Sequence, residues 1–391
     1  MLQEDCSLGS SLSEGMSLTE FYDKEITHHR DWRLPENRME GFLRWLKWRL
    51  KYSDLDHYGC NNAYRDYAGM TKEQQYWFSL IFGMTYQSEM AWVIFSQFPD
   101  WTKIDLEKLQ EWNVKNLPRQ KYAKDTKYNK GRITEQLSSI KKSAEPFGSL
   151  TNFFESSITV PGQKSFEVIY EKVGTLHKYG RMTQWITLQT LYETAGLPIA
   201  PNTMLAWDES AWSVRSGLMY LYGKDDKLEA KGAKLDSDDI DWVRGIEAKL
   251  LETCVEYLDG EYDVSNYLIE SHLCQYKKLM LGGDYAGHST GDHVSRATTL
   301  SELWPEVEFK PFWDFHGVGH YKLLRGKTEN KALRNLTCRT GQMINMHEDF
   351  PDMPNMYEEL GITLDDISNE PDKLAKVNSA IDAFADRIAY A

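Results

Sequence analysis

Residues 76–95, YWFSLIFGMTYQSEMAWVIF, form the most apolar window of the chain, and it is too long to leave in water. Gln87, Ser88 and Glu89 interrupt it, so it does not suit a membrane span, which needs about 20 predominantly apolar residues. The alternative is a helix buried at the centre of a helical domain. Thr71-Lys-Glu-Gln74 just upstream has the form of a capping box, and Pro99 limits the far end. One long buried helix between these signals is the expectation.

The rest of the chain supplies helices to surround it. In RMEGFLRWLKWRL, Phe42, Trp45, Leu46 and Arg49 recur at i, i+3, i+4 and i+7, an apolar stripe ending in an arginine. Residues 165–222 read as two or three helices joined by the turn AGLPIAPN. Ser237 or Asp238 then suits the N-cap of a helix running to Asp259-Gly260, and a further helix is expected from 264 to about 281. WPEVEFKPFW reads as a short extended piece, and a polar amphipathic helix is expected from Pro371 on. Strand signals are few and short, so the predicted class is mainly α. Four regions are expected: a flexible tail over 1–20, a helical region over 21–160, a helical catalytic region over 161–300, and a mixed region over 301–391.

Composition narrows the function. The net charge of −14 argues against a non-specific nucleic-acid binder, but residues 115–142 carry nine Lys/Arg against two acids. Tyr122 and Tyr128 are interleaved there with Lys121, Lys124, Lys127, Lys130 and Arg132. This run suits either a solvated face or a surface for a phosphate backbone. The five scattered cysteines form no CxxC pair and read as reduced thiols. The N-terminus has neither the basic nor the apolar stretch of a signal peptide. His316 and His320 stand at i, i+4, but the intervening glycines weaken a helix there, so no metal site is expected. P-loop, dinucleotide-fold, GxSxG and HExxH motifs are absent.

The candidate chemistry lies in IESHLCQYKKLMLGGDYAGHSTGDHVSR, residues 269–296. At 100° per residue, Glu270, Cys274 and Lys277 fall on one face, opposite Ile269, Leu273 and Tyr276. That arrangement suits a solvated face with an ion pair, or a base and a cation lining a cleft. The following loop offers Tyr285, Asp292, His293 and Arg296. Arg181 and Arg215 stand near helix starts, where a cation is the less favoured sign unless an anion sits between it and the backbone N–H groups.

SVRSGL at 213–218, ESHLCQYKKL…DYAGHSTGDHVSR at 270–296 and the Glu-Gln-x-x-Trp…Thr-Tyr…Phe-Pro run at 73–99 resemble the helical amino acid:DNA transferases of tailed bacteriophages. These are also called α-glutamyl/putrescinyl thymine pyrophosphorylases. The resemblance covers roughly residues 40–300; the loop at 287–296 is longer and more polar than the family's, and the last 90 residues have no counterpart. It implies a helical fold distantly like the DNA glycosylases. It also implies an enzyme acting, in the host cytoplasm during phage infection, on double-stranded phage DNA carrying pyrophosphorylated 5-hydroxymethyl-deoxyuridine. The amine or another nucleophile of a free amino acid or polyamine would displace the pyrophosphate, and no membrane is involved. On that reading Glu270 is the base, and Arg181, Arg215, Lys277 and Arg296 form one anion pocket. Trp185 and Tyr285 stack on the everted base, and Lys278 holds the amino acid's carboxylate beside Cys274 and Asp292. The basic run tracks the duplex. No cofactor is required; the chemistry admits Mg2+ on the pyrophosphate, but no carboxylate cluster demands it. Two other readings stay open on the residues alone: another step on a modified base, such as glycosidic cleavage or hydroxymethyl phosphorylation, and a non-catalytic phage DNA-binding protein.

Overall fold

In the computed structural model the described residues are 35–51, 57–224, 228, 230–280, 288–316 and four isolated positions after residue 370. The N-terminal tail, Tyr285, His320 and the segment after Pro371, apart from those four positions, lie outside them. Among the described residues every regular element is a helix and there is no strand, so the chain is mainly α. The extended piece expected at WPEVEFKPFW is instead a turn following the helix that ends at Leu303, then the start of another helix over Lys310–His316.

The apolar window is not one helix but two, α3 (Lys72–Thr85) and α4 (Ser88–Gln97). The capping box is present: Thr71 N donates to Gln74 Oε1 at 3.0 Å, and the Thr71 hydroxyl accepts from Gln74 N. Every residue from Tyr76 to Thr85 is buried, so beyond its first turn α3 has no solvent face and is the centre of the fold. The helix ends because Tyr86 turns left-handed, at φ 47°, ψ 41°. Much of the 73–99 run is scaffold. Glu73 accepts from Trp101 Nε1 and from the N–H groups of Leu150 and Thr151 at 2.7–2.8 Å, and Trp77 Nε1 donates to Phe98 O at 2.7 Å.

α3 is preceded by α1 (Arg38–Lys51) and α2 (His57–Ala68), and α4 is succeeded by α5 (Leu106–Asn116), α6 (Ile133–Ala144), α7 (Leu150–Glu155) and α8 (Gln163–Gly174). They are followed by α9 (Arg181–Glu193), α10 (Trp212–Leu221), α11 (Ser237–Leu258), α12 (Asn266–Met280), α13 (His288–Leu303) and α14 (Lys310–His316). The α1 stripe is buried as its spacing predicts, with the Arg49 guanidinium 4.7 Å from the Trp45 ring centroid. The N-cap of α11 is Asp236, one residue before the expected pair, because Asp239 is placed to close a capping box with it. The hydrophobic core runs unbroken across residues 160 and 300.

Two close helix crossings fix the site. α9 lies along α3, where a Cβ on Gly83 would stand 1.8 Å from Thr187 Oγ1. The buried hydroxyls of Thr187 and Thr190 are returned to their own helix, to Thr183 O and Ile186 O, each at 2.7 Å. α10 crosses α12, where a Cβ on Gly217 would meet Leu273 O at 2.8 Å. Gly217→Ala is therefore expected to destabilise the protein by about 1–3 kcal/mol in denaturant unfolding. Gly245→Ala, in α11 with open space around it, is expected to stabilise by up to about 1 kcal/mol.

Candidate active site

The two crossings bring the start of α9 to the middle of α12. Arg181, the first residue of α9, places Nη1 3.1 Å from Glu270 Oε1, and both side chains are at most 10% exposed. Glu270 does not share a solvent face with Lys277, as its helical wheel suggests, because the arc opposite the core is itself covered by other helices. Burial raises the carboxyl of Glu270 above the ordinary glutamate range, while the charge and hydrogen bond of Arg181 pull the other way. The carboxylate is thus held in one orientation and keeps a strong affinity for a proton.

Arg181 Nη2 donates to Met204 O at 3.1 Å, and this carbonyl belongs to a loop secured by two further charged side chains. Glu247, on α11 and 1% exposed, accepts from Thr203 Oγ1 at 2.5 Å and from Ala206 N at 2.7 Å. Its carboxyl is raised by burial, against these hydrogen bonds and the charge of Arg181. Arg215 is fully buried and donates to Ala206 O, Asp208 O and Leu228 O at 2.9–3.0 Å. Residues 203–208 are therefore a rigid wall beside the acid.

On the other side of Glu270, one helical turn on, Cys274 Sγ lies 2.9 Å from Ser213 Oγ. Burial raises its thiol; Lys278 and the Ser213 hydrogen bond lower it, and Glu270 and Asp125 raise it further. Lys277 Nζ donates to the buried Ser216 hydroxyl, while Lys278 is exposed.

Several expected roles change. The four cations have different partners: Arg181 holds Glu270, Arg215 clamps the 203–208 wall, Lys277 reaches Ser216, and Arg296 lies against Gln87. With the Gln87 amide oxygen facing it, that residue accepts from Arg296 Nη1 at 2.5 Å and Nε at 2.9 Å. Trp185 is 1% exposed and sits edge-on to Phe166 and Tyr267, so its ring has no free face for a base. The stretch holding Asp292 and Arg296 is helical, not a loop; the Asp292 side chain and all of Tyr285 are outside the described residues.

The sequence reading also missed a buried polar layer where α3 gives way to α4. Glu89, 0% exposed, meets His293 Nδ1 at 2.6 Å. The His293 ring stands 4.2 Å from that of His57, which in turn lies 4.9 Å from Tyr86. The signal was present as Gln87-Ser88-Glu89, three polar residues inside the most apolar window of the chain.

Of the basic run, Lys121, Lys124, Lys127 and Arg132 are exposed and Lys130 half-buried, on a segment containing a 3-10 helix over Lys124–Asn129. Its polar side chains point inward instead: Thr126 Oγ1 donates to Thr85 O at 2.7 Å and Asn129 Nδ2 to Met84 O at 3.1 Å. Tyr128 OH lies 2.9 Å from Thr183 Oγ1. The lysines are thus displayed beside the start of α9. Among the described residues, no three or more His, Cys, Asp or Glu side chains gather as a metal site, and no helix is long and apolar enough to cross a membrane.

Fold and site together define a helical protein with a buried acid–guanidinium pair beside one clamped loop. The family model for Amino acid:DNA transferase matches residues 51–285, a span that includes Arg181, Arg215, Glu270, Cys274 and the basic run. The chain belongs to this family and is a transferase. It is also 22% identical over 309 residues to a serinyltransferase of Salmonella phage ViI, covering 73% of this chain and 74% of that one. No solved structure matches, so the likeness to helical DNA glycosylases rests on the family resemblance alone.

Proposed function

We propose that the enzyme joins an amino acid to DNA by displacing pyrophosphate from a pyrophosphorylated 5-hydroxymethyl pyrimidine, in the host cytoplasm during phage infection. The observation that carries this reading is the buried Glu270–Arg181 pair inside the family-matched span. The nucleophile attacks the exocyclic methylene carbon, the carbon–oxygen bond to the diphosphate breaks, and pyrophosphate leaves with the bonding electrons. The proton shed by the nucleophile goes to Glu270, whose raised affinity for it suits a general base, and passes on to water. Arg181 fixes the carboxylate for that transfer. The serinyltransferase makes serine the first amino acid to try, since it offers both an amine and a hydroxyl. Mg2+, if used, would arrive on the diphosphate.

The test is incubation with DNA carrying pyrophosphorylated 5-hydroxymethyl-deoxyuridine and a pool of amino acids, followed by nucleoside mass spectrometry. An amino-acid adduct with stoichiometric pyrophosphate is the expected product. Unchanged nucleoside, or abasic sites and free base, would refute the reading. The exposed lysines are assigned to the duplex backbone. Charge reversal at Lys121 and Lys124 is expected to weaken DNA binding and reduce the salt slope by about 0.9 for each phosphate no longer neutralised. Identical salt titrations for both proteins would leave this segment as a solvated face.

A further inference from the structure

We propose that Tyr86 is a substrate-binding residue, its phenol donating a hydrogen bond to the carboxylate of the amino acid held at Glu270. The inference rests on the reading of Glu270 as the group that faces the amine.

Tyr86 occupies the left-handed position that ends α3, a place where glycine is the usual choice because a side chain strains the backbone there. Strain of this kind persists where the surroundings enforce it, and it concentrates at ligand clamps. The ring is held accordingly. Its centroid is 4.9 Å from that of His57 and 5.9 Å from that of Phe82, and His57 is backed by His293 and Glu89. A whole buried layer thus fixes one half-buried aromatic ring. The phenol hydroxyl itself makes no hydrogen bond among the described residues.

Position ties the ring to the catalytic pair. Asn129 Nδ2 lies 3.1 Å from Met84 O and 3.5 Å from Thr183 Oγ1, so the end of α3 and the first turn of α9 share one side chain. That first turn carries Arg181, and Arg181 carries Glu270. The charges of Glu270, Cys274 and Asp125 all act on the Tyr86 hydroxyl, as does Arg49 in the opposite sense. Burial holds that hydroxyl well above the ordinary tyrosine range, so it stays a neutral donor. An amino acid needs an acceptor for its ammonium and donors for its carboxylate. Glu270 supplies the first, and Tyr86 with Lys278, exposed about two turns on from Glu270 in α12, supplies the second.

The test is equilibrium dialysis of the full chain, wild type and Tyr86→Phe, against an equimolar mixture of the twenty amino acids. A parallel cell holds ethanolamine and putrescine, which lack the carboxylate. Wild type is expected to retain one or a few amino acids in preference to either amine. Tyr86→Phe should retain them about tenfold less well, hold the amines as wild type does, and melt at the wild-type temperature. Equal retention by both proteins, retention of nothing by wild type, or parallel loss of amino acids and amines would each overturn the assignment. The diphosphate-bearing DNA is absent from these cells, so their outcome is separate from whether pyrophosphate is the leaving group.

Discussion

Glu270→Gln is expected to lower kcat by about 10²–10⁴-fold, the usual contribution of a positioned general base, while leaving DNA binding at the wild-type level. Glutamine keeps the shape of the side chain and an acceptor for Arg181 at the 3.1 Å contact, so the loss reads the proton transfer itself. The pH profile sharpens the test. Burial places the folded-state carboxyl above its ordinary value of 4.5, so activity should rise with pH along a limb displaced above that value. Stability runs the other way. Between 4.5 and the raised value the native state keeps a proton that the unfolded chain has lost, so this group's contribution falls as pH rises through that window. Glu270→Gln should lack both features. A variant turning over at the wild-type rate would remove Glu270 from the chemistry.

Arg215→Ala is expected to be the most damaging single change to stability. It leaves the carbonyls of Ala206 and Leu228 buried without their donor, while Asp208 O keeps the N–H of Ala211. Each orphaned group costs about 1–3 kcal/mol, so a loss of about 2–6 kcal/mol is expected in denaturant unfolding. The same change frees the wall whose Met204 carbonyl holds Arg181, so whatever protein folds should also turn over more slowly. Arg215→Lys should recover part of the stability, because one ammonium cannot reproduce the guanidinium fork toward three carbonyls. A loss below about 1 kcal/mol for Arg215→Ala would show that the wall stands without its clamp.

The helices were legible wherever burial follows a single period. The α1 stripe, the capping box at Thr71 and the left-handed stop at Asp259 all lie where local patterning puts them. The helical wheel failed at Glu270, because a wheel sorts one face from another but says nothing of what covers the second face. Arg181 and Glu270 are 89 positions apart, and no local rule relates them. Arg215 was expected to greet an anion because it stands near a helix start, and its actual partners are backbone carbonyls of a loop that carries no motif. The break at Tyr86 is hard to see because the flanking residues are apolar enough to suggest continuity. Only the polar triplet after it betrays that the backbone turns and that charge is buried there.

The contacts from His293 to Glu89 and from Arg296 to Gln87 reach back from beyond residue 285, where the family match ends. The family-matched catalytic unit and the cooperative folding unit therefore have different borders. A protein trimmed to the shared segment would lose His293 from the side of the buried Glu89.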